Sequence, residues 1–462
     1  MAQTNLVYNV EDKPSWGKTV IFALQQLLAI LAATIAVPAI VGNGMSASAA
    51  LFGAGVGTLT YLLFTKFRSP VFLGSSFAFL GSMFAAFAGA ASAAMGYLGL
   101  IIGAILAGLV YVIIAVIVKF CGTKWIDKLM PAVVIGPTVA IIGLSLAGNA
   151  VGDAVKGAVF DAANSVWVMN WKGCMSLLCG VITLLTTIVA SVYGKKMLKM
   201  IPFIIGIAAG YAVASLITVF GYHIGGNENF QLIDWTAFNN MQWLPKFTFL
   251  EAFNGGFDDF NPAYLGTIAV AYVPVAFVVF AEHIADHKNL SSIINRNLLE
   301  EPGLHRTLLG DGVGSMVGAF FGGCPNTTYG ESIGTVAISG NASIRTILVT
   351  AIMAIVLSFI APFSTFLATI PSCVMGGVCI ALYGFIAVSG LKMIQTVDLG
   401  DNRNLFVVST ILIAGVGGLA LKFGEITLTE VACALILGIV VNLLVNLKKD
   451  KKVEEQPKEE DK

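Results

Sequence analysis

Apolar residues along this chain come in blocks of about 20, the length an α-helix needs to cross a bilayer, separated by short polar links. In the first half the blocks lie near 18–38, 46–65, 98–118, 131–148, 173–193 and 201–221, and in the second near 264–285, 307–321, 343–367, 370–390, 404–420 and 427–447. Two further stretches are apolar but broken. One, at 70–90, opens with Pro70, Val71 and Phe72 before Gly74, Ser75, Ser76 and Phe77; the other, at 326–340, follows Pro325 and carries Thr327, Thr328, Tyr329, Gly330, Glu331 and Ser332. Both have an extended-favouring beginning, then glycine and small polar residues, then a short apolar run. Each falls third among the blocks of its half. The pattern therefore predicts an all-α polytopic membrane protein of about 14 spans, in a 7+7 inverted repeat whose third and tenth spans are broken and contain short extended segments.

The broken stretches are also where chemistry is expected. Non-helical backbone survives at membrane depth only where protein buries it or where it lines a wet cavity. A matched pair of Gly/Pro-interrupted segments in the two halves points to a midplane binding site, with helix N-terminal N–H groups presented to a small polar molecule. Glu331 brings a carboxylate to that depth, which is costly and reads as functional; the competing reading is an extramembrane loop. The block at 264–285 ends in Glu282, His283, Asp286 and His287. Residues i and i+4 share a helical face, so Glu282 and Asp286 look together into the bundle while the two histidines share the neighbouring face. If the span instead stopped at Phe280, all four would form a solvated cytoplasmic end. The histidines, close to Lys288, are expected at the membrane surface. Asp311, just before Gly312, is expected to be a helix N-cap.

Composition agrees with a membrane class. The chain has 462 residues, 57% hydrophobic and 11% charged, with mean hydropathy +0.86; soluble domains average about 25% charged. A formal net charge of zero leaves no basic surface for nucleic acid, so the expected partners are the lipid bilayer and a small molecule. With the N-terminus placed in the cytoplasm, lysine and arginine divide roughly 22 inside to 4 outside. Both termini are thus expected to be cytoplasmic, with Trp16 as an interfacial anchor and 222–263 as a structured extracellular loop. Among the inside charges are Lys124, Lys128, Lys196 and the lysines of 448–462; Asp259 lies in the outside loop. The seven cysteines show no metal-ligand spacing and no disulfide framework. No H-E-x-x-H motif or nucleophile–base pair suggests an enzyme. An anion transporter would want a positive site, whereas the deep groups here are acids.

Several segments resemble the uracil permease branch of the nucleobase-ascorbate transporter family, also called the nucleobase-cation symporter 2 family. They are "LQQLLAILAATIAVP" at 24–38, "LGSSFAF" at 73–79, "AEHIADH" at 281–287 and "EPGLHRTLLGDGVGSMVGAFFGGCPNTTYGESIG" at 301–334, and the likeness runs in order from about residue 16 to 447. The resemblance implies a cytoplasmic tail at 1–15, core-domain spans at 16–129 and 264–367, gate-domain spans at 130–222 and 368–447, an extracellular loop at 223–263 and a charged cytoplasmic tail at 448–462. It implies Glu282 and Glu331 as acceptors for the ring N–H groups of a nucleobase, with Phe77, Ser76, Tyr329 and Gly330 as pocket positions and Ala33 as a first-span wall. The implied activity is proton-coupled import of uracil across the plasma membrane, the inner membrane of a bacterium, by a homodimer joined through its gate domains. No cofactor is implied. Asp286 and Glu282 are the expected proton-coupling pair, and sodium is the alternative coupling ion. There are departures from the family pattern. Gln25–Gln26 stands where the family has Gln-His, Asp286 where close relatives can have histidine, Ser332 where asparagine is usual and Ser339 where threonine is usual. These leave xanthine-like purines and other pyrimidines as alternative substrates.

Overall fold

The computed structural model describes residues 6–122, 131–195, 197–258, 260–423 and 426–447. Lys124, Lys128, Lys196, Asp259 and the tail 448–462 lie outside the described residues.

The apolar blocks become helices. The first half runs through α1 (Trp16–Val41), α2 (Ala47–Phe64), strand β1 (Leu73–Ser75), a 3-10 turn (Phe77–Phe79) leading into α3 (Leu80–Ala88), and α4 (Ala93–Cys121). It continues with α5 (Ala132–Ser145), α6 (Ala147–Ala154), a hairpin of β2 (Val159–Asp161) and β3 (Val166–Val168), α7 (Trp171–Tyr193) and α8 (Pro202–Ile217). The second half holds α9 (Thr248–Phe253), α10 (Pro262–Ile294), α11 (Leu304–Gly322), β4 (Asn326–Thr328), α12 (Gly330–Ser339), α13 (Ile344–Ser358) and α14 (Ala361–Ala368). It closes with α15 (Ser372–Ile394), α16 (Asn402–Val416), a hairpin of β5 (Leu421–Phe423) and β6 (Ile426–Leu428), and α17 (Glu430–Asn446). Among the described residues eight helices are long and apolar enough to cross a membrane, and α13 with α14 make a ninth candidate bent by 81°. Side-chain N-caps fix several starts: Ser46 for α2, Ser92 for α4, Asn261 for α10 and Thr429 for α17 each accept a backbone N–H of the first turn.

The packing has an internal symmetry. α4 lies on α11 as α13 lies on α2, α10 on α4 as α1 on α13, and α7 on α15 as α16 on α5. Exchanging the halves maps each contact onto its counterpart, and the pairs α2 with α11 and α5 with α15 map onto themselves. Two bundles result: α1–α4 with α10–α14, and α5–α8 with α15–α17. The α2–α11 crossing is very close. A Cβ on Gly53 would stand 2.4 Å from the Gly318 carbonyl oxygen, and one on Gly57 2.8 Å from that of Gly314. Lipid tails supply no hydrophobic force between helices, so small residues that let backbones approach are what hold such a pair.

At the centre of the first bundle β1 and β4 pair antiparallel, with Leu73 opposite Thr328, Gly74 opposite Thr327 and Ser75 opposite Asn326. The ladder extends by one bond, Ser76 N–H to the Pro325 carbonyl at 2.9 Å. Side chains answer the N–H groups at the entry to β1: Thr58 Oγ1 accepts from Leu73 at 2.9 Å and Ser332 Oγ from Phe72 at 3.2 Å. The extended backbone is thus satisfied inside the protein, as membrane depth requires.

The segment before α1 is packed against the first bundle. Tyr8 and Val10 accept from the amides of Ala342 and Ile344 at 2.9 and 3.0 Å, and Glu11 forms a bidentate ion pair with Arg296. Trp16 is exposed, with the Arg345 guanidinium 3.8 Å from its ring centroid.

Candidate functional site

Between the two bundles lies a cavity of about 390 Å3. The first bundle contributes Ser76 and Phe77 from the start of the 3-10 turn, Glu282 and Asp286 from α10, and Thr328, Tyr329, Gly330 and Glu331 from the junction of β4 and α12. The second contributes an apolar wall that includes Val139, Ile142, Phe203 and Leu382. Seven of the eight residues singled out from the sequence therefore share one cavity. Ala33 does not: it is buried inside α1 and is not part of the lining. A larger cavity of about 560 Å3, near Ser46, Asn240, Lys246 and Ser372, holds none of them.

Each side chain is placed by local structure. α10 continues unbroken to Ile294, so Glu282 and Asp286 stand one turn apart on the same face and both reach the cavity. Thr328 Oγ1 donates to Asp286 Oδ2 at 2.6 Å, tying β4 to α10. Glu331 sits in the first turn of α12, where the helix dipole favours a carboxylate. The Tyr329 hydroxyl donates to the Ser75 carbonyl at 2.7 Å, and its ring fills the space a side chain at position 74 would need: a Cβ on Gly74 would come within 2.3 Å of it. Phe77 meets Tyr383 of α15 edge to face, with ring centroids 6.0 Å apart, so an aromatic contact crosses from one bundle to the other. Three carboxylates line the cavity and no lysine or arginine does, among the described residues. Such a site suits a ligand rich in hydrogen-bond donors and repels anions.

The histidines lie where the sequence reading did not put them. His283 and His287 are fully buried, on the face of α10 turned away from the cavity. Their rings stack at 4.0 Å. His283 Nδ1 lies 2.6 Å from Asp311 Oδ2 and its Nε2 lies 3.0 Å from Thr307 Oγ1, while His287 Nε2 lies 2.7 Å from the Tyr61 hydroxyl. Lys288 had suggested the membrane surface, but it is exposed on another face of the same helix. Asp311 is likewise no N-cap. It lies well inside α11, buried, with His283 as partner. The i, i+4 spacing of the two histidines, the same one that paired Glu282 with Asp286, was the available signal.

Two departures from the family pattern meet in space. Gln26 Nε2 donates to Ser332 Oγ at 2.6 Å, joining α1 to the first turn of α12 beside Glu331. The residues that differ from the usual histidine and asparagine are thus bonded to each other.

The chain belongs to the Permease family, whose model matches residues 17–423. It is 39% identical over 443 residues to the uracil permease of Bacillus caldolyticus, covering 95% of this chain and 94% of that protein. It is 37% identical over 462 residues to the uracil permease of Bacillus subtilis, with 98% of each covered, and 33% identical over 450 residues to that of Escherichia coli K12, with 96% and 95% covered. Among solved structures the fold is similar to the transmembrane domain of the cyanobacterial bicarbonate transporter BicA, with TM-score 0.62 and 16% identity over 96% of this chain and 100% of that one. It is also similar to SLC26A9, with TM-score 0.63 and 11% identity over 93% of this chain and 65% of that one. These two likenesses show the fold alone: the chain shares the helical fold of these two proteins.

Proposed function

We propose that this protein is a secondary active transporter that imports uracil by proton symport. The observation that carries the reading is the convergence of Glu282, Asp286 and Glu331 on one cavity between the bundles, in a chain whose relatives are named uracil permeases. Uracil is flat and neutral, with two N–H donors and two carbonyl acceptors. Glu282 and Glu331 accept from the donors, backbone N–H groups at Phe77 and Gly330 answer the carbonyls, and Phe77 offers a ring face. The volume of about 390 Å3 falls within the usual range for small-molecule sites, about 300–1,000 Å3.

Uptake of a neutral solute against its gradient needs a coupled ion. Carboxylates close together in a low-dielectric site disfavour full ionisation, so Glu282 and Asp286 hold a proton between them, and its presence favours one orientation of the first bundle. On this reading α1–α4 with α10–α14 form the core and α5–α8 with α15–α17 the gate. The chain then makes fourteen spans with the third and tenth broken, both termini are cytoplasmic, and two gates join in a homodimer of the plasma membrane. Alternating access is the movement of core against gate.

The test is uptake of labelled uracil into liposomes holding the purified protein, under an imposed pH gradient with and without sodium. Accumulation driven by inward protons in sodium-free buffer supports the proposal; accumulation that requires sodium replaces the coupling ion. The Gln26–Ser332 bond favours a second reading at the level of substrate, another pyrimidine or a xanthine-like purine. Competition by a panel of unlabelled bases decides it.

A further inference from the structure

Among the buried polar atoms of the first bundle that have no hydrogen-bond partner among the described residues, three belong to residues grouped behind the substrate cavity: the Tyr111 hydroxyl of α4, Asp311 Oδ1 of α11 and Asn326 Oδ1 of β4. All three side chains line one small hole of about 10 Å3, along with Ser315 and Thr327. Tyr111, Asp311 and Asn326 are 4%, 1% and 1% exposed, so bulk solvent does not serve them. Other bonds decide which atom is left unpaired in two of them. Asp311 is engaged through Oδ2 by His283, which leaves Oδ1 as its unpaired oxygen. Asn326 Nδ2 donates to the Gly53 carbonyl at 2.9 Å, which leaves Oδ1 as its unpaired atom, one that can only accept.

Two acceptors on residues that line the same hole cannot satisfy each other, and buried acceptors left dry carry the full cost of their desolvation. Whatever occupies the hole must offer two donors within the space of one small molecule. A water donates to Asp311 Oδ1 and Asn326 Oδ1 and accepts from the Tyr111 hydroxyl, making three bonds, the usual number for a buried water. A hole of about 10 Å3 is close to the least that holds one. A dehydrated divalent cation fits less well, because the three side-chain oxygens in place fall short of the six to eight such ions take.

We propose that this hole is a built site for a single water molecule, which fastens α4, α11 and β4 to one another directly behind the substrate cavity. Thr327 lines both cavities, so the partition is one residue thick. The next residues of the strand are Thr328, which holds Asp286, and Tyr329, which leads to Gly330 and Glu331. Tyr111, Asp311 and Asn326 are thereby positioning residues: through the water they set where β4 delivers the groups of the site. The water site rests on the fold rather than on the transport reading.

The test begins with experimental structures of the full chain at about 2 Å or better, one in choline chloride and one in sodium chloride. The expected result in both is one peak at about 2.7–3.0 Å from all three oxygens. An empty hole, or a peak that appears only with sodium and at clearly shorter distances, overturns the proposal. A double-mutant cycle of Tyr111→Phe and Asn326→Ala follows, read as Tm. The two side chains share no direct bond, so a shared water makes their effects non-additive, with the double variant falling little further than the worse single one. A simple sum of the two losses overturns the shared water. Positioning is read separately, as uracil affinity of the folded Tyr111→Phe protein, expected to fall about threefold or more; unchanged affinity overturns the positioning role. If the wild type itself does not bind uracil, the transport reading fails, and the density and Tm measurements still decide the water.

Discussion

Glu331→Gln removes a charge from the cavity while keeping the shape of the side chain. Glu331 stands in the first turn of α12 and lines the cavity opposite the apolar wall of the second bundle. If it accepts a ring N–H of uracil, either orientation of the new amide loses. With nitrogen forward, two donors face each other and one is left buried and unpaired, a cost of about 1–3 kcal/mol. With oxygen forward, the bond survives without charge assistance, at roughly half its strength. At 1.4 kcal/mol per factor of ten, the Kd for uracil rises about 5- to 150-fold. Glu282→Gln should behave alike, since that carboxylate reaches the same cavity from α10. The assay is equilibrium binding of labelled uracil to purified protein in detergent, with gel filtration to confirm that the variant is folded. A Kd within twofold of wild type would show that the residue is no direct ligand of the base.

Asp286→Asn separates binding from coupling: equilibrium binding and exchange of labelled for unlabelled uracil at equal pH persist, while accumulation driven by a pH gradient is lost, and retained accumulation would remove Asp286 from the coupling step. Gly74→Ala places a Cβ within 2.3 Å of the Tyr329 ring, so the ring must leave its place beside β1 and its bond to the Ser75 carbonyl is disturbed. Uracil binding should fall at least tenfold, and a variant that binds normally would show that the Tyr329–Ser75 link does not shape the site. In the segment before α1, the hydrogen bond from Arg296 holds Glu11 below its ordinary value of 4.5. A depressed carboxylate contributes stability that is present above its unfolded value and lost as pH falls through its lowered folded value. The contribution is small because both side chains are largely exposed. Amide exchange at Ala342 and Ile344, corrected for intrinsic rate, should therefore quicken as pH drops below 4.5, and Arg296→Ala should produce the same change at neutral pH; identical exchange in wild type and variant would separate the ion pair from the docking of this segment.

How much of this was legible depends on whether a feature is local or lies between elements. The apolar blocks announced the helices because period and length are properties of one segment, and Pro70, Gly74, Pro325 and Gly330 marked the two interruptions because those residues act on their own backbone. The i, i+4 rule placed Glu282 beside Asp286 and put His283 and His287 together on a neighbouring face, but the nearby Lys288 made that face look like membrane surface rather than interior. The rule could not say what lay against that face. The partner, Asp311, comes from a helix in which Gly310, Gly312 and Gly314 bring neighbouring backbones close, and a carboxylate next to glycine looks from the sequence like a helix start rather than the middle of a crossing. Ala33 shows the opposite limit. Its position carried over from a resemblance, yet the rotation of α1 turns it into the packed interior, while Gln26 of the same helix reaches Ser332 at 2.6 Å. Residues that differ from a family pattern are scattered along the chain, and only the fold shows that these two form one bond. A change at either position alone would remove the shorter bond and leave the remaining group a single longer one, Gln26 Nε2 to the Ser332 carbonyl at 3.3 Å or Phe72 N–H to Ser332 Oγ at 3.2 Å. If the cavity binds the substrate, Gln26 and Ser332 are expected to act as a pair in setting the approach of α1 to its carboxylate end, with substrate range following the pair rather than either residue.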